Sequence, residues 1–220
     1  MKMSEYLDSI EGAVRPMLDT INASYNSLSR LDIDIQQWIH LENYLLGKEH
    51  NGYGPSNFEA WVRDMEEEPT VESVQYWRNQ LVASTEATKE TINTLCASVL
   101  MIAQNGIKLT VGNPNKWASS KGMLLSSQGE CLLEAIWHGR NLGAHVEGLS
   151  AGKPSHTYFV DLASRRGVNL LDPNYQMPCE TIVKDLLGWV KLYDLKAKDT
   201  IHDSYPSPFV QDMMRIGTLA

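Results

Sequence analysis

A chain of 220 residues, 43% hydrophobic and 21% charged, can bury a core and is too apolar to remain disordered. Its 19 Lys and Arg against 27 Asp and Glu give a formal charge of -8, which argues against indiscriminate binding to phosphate backbones and leaves room for a local basic cleft. Three scattered cysteines, Cys96, Cys131 and Cys179, without a CxxC pair, speak against a disulfide framework and a structural zinc site and are expected as small buried hydrophobes.

The N-terminus turns acidic at once and carries no signal-like apolar run. No stretch approaches the roughly 20 apolar residues of a membrane helix, so a cytoplasmic, non-membrane protein is expected. Tyr6, Ile10, Val14, Met17, Leu18, Ile21 and Tyr25 recur at helical spacing. The pattern resumes through Leu28, Leu31, Ile35, Trp38 and Leu45, and Pro16 inside it predicts two helices or one bent one. Residues 47–57, with Gly52, Gly54 and Pro55, read as a loop; Phe58, Trp61, Val62 and Met65 suggest a short helix.

Thr70 is placed to cap a long helix whose stripe runs from Val74 and Trp77 to Ile102, about 36 residues or roughly 54 Å, with Asn105-Gly106 as its end. Ser126 or Ser127 caps the next helix, expected from about Gly129 to Leu149. Gly139 and Gly143 share one face of it; glycine costs roughly 1 kcal/mol against alanine in a helix, so the pair predicts close approach of another backbone. Thr157-Tyr158-Phe159-Val160 and Val168-Asn169-Leu170-Leu171, joined through Ser164-Arg165-Arg166-Gly167, read as a β-hairpin, an insertion around 155–172. A helix is expected from Pro178 to Lys198, and the tail 204–220 as a docked short helix through Phe209 to Ile216. Trp38, Trp61, Trp77 and Trp189 fall on apolar stripes and are expected in the core. The fold class is thus all-α: an up-and-down helical bundle in one domain, 1–220, with a small β-hairpin after the helix that bears Gly139 and Gly143.

That helix also carries the chemistry. Glu134, His138, Asn141 and His145 lie at i, i+4, i+7 and i+11, one polar stripe, and the Arg140 stem can lean over it. An imidazole beside a guanidinium is a minimal kit for phosphoryl transfer: one moves a proton, the other stabilises charge on the phosphate. Asn141 can orient the imidazole or hold a non-bridging oxygen; the competing reading is that Arg140 and His145 form a buried polar network or cap the helix end. The six histidines include no His-Glu-x-x-His pattern, so neither a metal nor another cofactor is expected. Supporting positions are His138, Glu134 and Glu147, and Arg165, Arg166 and Lys153 are RNA-contact candidates whose plainer reading is a solvated turn.

Arg140-Asn141-x-x-x-His145 resembles the Arg-x4-6-His signature of the HEPN superfamily, in which a polar residue, frequently Asn, follows the arginine. Leu142, Gly143 and Ala144 between them are similar to that family as well. The resemblance implies a compact helical bundle, commonly a homodimer with motif helices facing across a shared cleft. It also implies metal-independent endoribonuclease activity in a toxin-antitoxin, phage-defence or RNA-processing setting, with an antitoxin or regulatory protein as partner. In family members that extend the motif to His-x-Tyr the last residue is a tyrosine, where this chain has Glu147. The alternative expectation is a non-catalytic HEPN-like module that binds RNA or a partner protein.

Overall fold

A computed structural model of the protein describes residues 1–47, 69–112, 124–144, 149–172, 174–190 and 207–219. Its elements in chain order are α1 (Met3–Leu45), α2 (Val71–Thr110), α3 (Leu132–Ala144), α4 (Pro154–Arg166), α5 (Pro178–Thr181) running into a π-helical turn (Ile182–Leu186), and α6 (Pro208–Gly217). Among the described residues there is no strand, only an isolated antiparallel bridge between Leu125 and Cys131, so the all-helical expectation holds there. No helix among them is long and apolar enough to cross a membrane.

Contacts divide the chain into two compact units, one made of Met1–Ser24 with Lys89–Ala220 and the other of Tyr25–Thr88. In the second, Leu41 and Val74 are fully buried, and Glu42 accepts from Gln75 Nε2 at 2.7 Å and pairs with Arg78. Thr70 caps α2 reciprocally with Ser73: the Ser73 amide donates to Thr70 Oγ1 at 3.2 Å and the Thr70 amide to Ser73 Oγ at 3.1 Å. Trp77 departs from its expected core position. It is 53% exposed, lying edge-on to Tyr76, because helical periodicity places it on a face without telling which face is covered.

In the first unit α1 is continuous through Pro16, one helix rather than two. Its N-terminal turns pack on α2 through Tyr6, whose hydroxyl donates to the Ile102 carbonyl at 2.6 Å. This contact explains a second correction. Asn105-Gly106 does not end α2, which continues to Thr110; a Cβ on Gly106 would collide with the Tyr6 ring, so the glycine makes room for an aromatic inside a helix. Gly139 of α3 faces Ile182 and Leu100, and Gly143 faces Ala97 and Cys179, with a hypothetical Cβ about 3 Å from each neighbour. Tight packing is present at both glycines, but the expected approach of a backbone is seen only at Gly143, where Ala97 Cα is 3.6 Å from the Cβ position; Gly139 meets the side chains of Ile182 and Leu100.

The β-hairpin is replaced by α4. Pro154 opens it at the first helical position, Gly167 closes it in the left-handed conformation with φ 72°, and Ser155, Phe159 and Leu162 form its buried stripe. Thr157, Tyr158, Phe159 and Val160 favour strand locally, yet burial at i, i+4 and i+7 outweighs that preference. Arg165 and Arg166 consequently stand in the last turn of a helix rather than at a hairpin tip.

Nor does α3 begin at Gly129. Ser126 organises the preceding turn instead, accepting from the Gln128 and Glu130 amides at 3.2 Å each and donating to the Leu186 carbonyl at 2.5 Å. Leu149 is not helical. The Pro178 helix passes into i to i+5 bonding, with the Leu187 amide donating to the Ile182 carbonyl at 2.9 Å, and Gly188 at φ 69° turns the chain away. Helix α6 is capped by Ser207 and buries Phe209, Met213 and Ile216; Asp212 on it accepts from Trp189 Nε1 at 3.0 Å.

Candidate functional site

Helix α3 offers His138 and Asn141 on one face, three residues apart, and α4 brings Ser155 up to both. Ser155 Oγ lies 2.9 Å from His138 Nδ1 and 3.0 Å from Asn141 Nδ2. Arg140 Nη1 donates in turn to Asn141 Oδ1 at 3.3 Å, so the guanidinium does lean onto the polar stripe. Its Nε is buried with no hydrogen-bond partner. Among the described residues no carboxylate forms an ion pair with Arg140.

Tyr158, one turn along α4 from Ser155, stacks on the His138 ring with centroids 4.5 Å apart and planes at 23°. Burial pushes the Tyr158 phenol well up, the charges of Glu130 and Glu134 add to the shift, and Arg165 opposes it. Its hydroxyl is buried and unbonded. Glu134 therefore stands close enough to this cluster to act on it electrostatically.

Arg165 and Arg166 are exposed but paired. Both bind Oε1 of Glu130, a carboxylate only 4% exposed: Arg165 Nη1 at 3.0 Å and Arg166 Nε at 3.0 Å. Arg165 also pairs with Asp161 at 2.8 Å, and Arg166 Nη2 donates to the Gln128 carbonyl at 2.8 Å. The two arginines thus tie the end of α4 to the turn before α3, and much of their charge is neutralised there. Lys153 is exposed at the N-cap of α4. His145 and Glu147 lie outside the described residues, as do Trp61 and the segment expected as a short helix around it.

Ser155 was not a sequence candidate, because its segment reads as a strand. The signal that finds it is Gly152-Lys153-Pro154, a proline at a helix start followed by Ser155, Phe159 and Leu162 at helical spacing. Among the described residues no group of three His, Cys, Asp or Glu is placed to hold a metal ion. Neither a family model, nor a curated protein, nor a solved structure matches this chain.

Proposed function

We propose that the protein is an HEPN-like, metal-independent endoribonuclease of toxin or defence type, acting as a homodimer. The observation that carries this reading is Arg140. A guanidinium held on the polar face of α3 by Asn141, without a carboxylate partner among the described residues, keeps its positive charge available to an anion. In the reaction, His145 takes the proton of a ribose 2′-hydroxyl or supplies one to the leaving 5′-oxygen. Arg140 binds the scissile phosphate and stabilises the charge gained as the 2′-oxygen attacks phosphorus. The P–O5′ bond breaks, leaving a 2′,3′-cyclic phosphate and a 5′-hydroxyl. RNA carries its own nucleophile in this chemistry, and a two-fold axis beside α3 doubles Arg140 and His145 in one cleft.

The second reading is a non-catalytic HEPN-like module that binds RNA or a partner protein. It draws on Asn141, whose amide is engaged on both sides, by Arg140 and by Ser155. Purified protein incubated with RNA, with and without EDTA, separates the two beside His145→Ala and Arg140→Ala variants. The ribonuclease reading expects EDTA-resistant cleavage that falls by about 100-fold or more in each variant, the scale of lost acid-base or electrostatic catalysis. Equal cutting by all three proteins would mark a contaminant and sink it.

A further inference from the structure

We infer that Ser155 is the positioning residue of this cluster: it holds His138 as the neutral tautomer protonated on Nε2, at the end of a one-way hydrogen-bond chain that begins at the Arg140 guanidinium. Each link fixes the next. Arginine has only donors, so the Arg140 bond must be accepted by Asn141 Oδ1. That turns Asn141 Nδ2, itself only a donor, toward Ser155, whose Oγ accepts at 3.0 Å. The serine has one hydrogen left to give, and its other contact is His138 Nδ1 at 2.9 Å.

Ser155 is 5% exposed, which leaves little room for water to take that hydrogen. If His138 carried a proton on Nδ1 and donated it to Ser155, the buried serine hydrogen would have no acceptor. Nδ1 must therefore accept, and the ring proton sits on Nε2. The ring is held in this orientation by Tyr158 stacked on its face, and Ser155 is held by its place in the first turn of α4, behind Pro154. Charge reaches the imidazole from Arg140 through the chain. The chain puts a cation at one end and a lone pair at the other, so its polarisation runs in a single direction.

This inference goes beyond the ribonuclease reading and stands without it. The test is a long-range proton–nitrogen correlation spectrum of the histidine rings in uniformly 15N-labelled full-length protein at neutral pH, with His138 assigned by its loss in His138→Gln. We expect a bare Nδ1 and a protonated Nε2 for His138. In Ser155→Ala the preference relaxes toward a mixture of tautomers, and Ser155→Thr, which keeps the hydroxyl, restores it. A protonated Nδ1 in the unaltered protein, or an unchanged pattern in Ser155→Ala, overturns the proposal. The wild-type spectrum can do so alone, whatever the variants' stability. RNA cleavage by the same samples is a separate readout, so a protein that cuts no RNA and a His138 with the wrong tautomer are distinguishable failures.

Discussion

Cys179 illustrates how packing sets the reactivity of a single group. Its sulfur lies against Gly143 of α3, and burial pushes the thiol up to about 12. Cys96 moves in the same direction, through burial first and then the negative charge of Glu180, against the opposing Lys184. A raised thiol pKa means less thiolate at pH 8 than an ordinary cysteine carries, and the thiolate is what reacts. Iodoacetamide at pH 8 on the folded protein should therefore modify the partly exposed Cys131 at least tenfold faster than Cys96 or Cys179, as read by peptide mass spectrometry. Equal rates at all three would contradict the described packing. The linkage sign follows: these thiols ionise more readily in the unfolded chain, so stability falls as pH rises above about 8.5. At this scale the lean of Arg140 over the polar stripe was legible, because positions along one helix are set by its period; that it donates to Asn141 was not. Ser155 was not, since its partners lie 14 and 17 residues away on another helix.

Two glycines in the long helices make the corresponding point for elements. Gly12 of α1 has nothing near the position a Cβ would take, whereas Gly106 of α2 has the Tyr6 ring there. Gly12→Ala should stabilise the protein by about 1 kcal/mol, the helix-propensity difference. Gly106→Ala gains the same propensity but displaces Tyr6 and its bond to the Ile102 carbonyl, so a net loss of about 1–3 kcal/mol is expected. Urea unfolding of both variants checks the opposite signs; a stabilised Gly106→Ala would mean that α1 and α2 do not meet as described. The strand reading of 157–160 fails for a related reason. β-branched and aromatic residues prefer strands only where a sheet receives them, and here Phe159 and Leu162 are received by a helical core. Helix lengths were similarly open, because Gly106 looks like a terminator until its aromatic neighbour is known.

Across the whole molecule the net charge is -8, which on the ribonuclease reading limits how RNA would be held. Arg165 and Arg166 are paired with Glu130, and Arg165 also with Asp161, so these two cations are less available to follow a backbone. On the ribonuclease reading, the affinity for single-stranded RNA should fall only shallowly with salt, and Arg140→Ala should reduce the slope of log K against log salt by about 0.7, the value for one phosphate contact. Fluorescence anisotropy across a salt series measures this; a steep slope insensitive to Arg140 would place the contacts elsewhere.

The sequence by itself determined the helical class, the polar stripe Glu134, His138 and Asn141, and the glycine face that packs closely, because each follows from a periodicity of 3.6 residues along a single helix. Only the tertiary structure decided that α4 is a helix, that Ser155 joins His138 to Asn141, and that Glu130 gathers both arginines. Those contacts join residues distant along the chain, and their energy exists only once the helices have met.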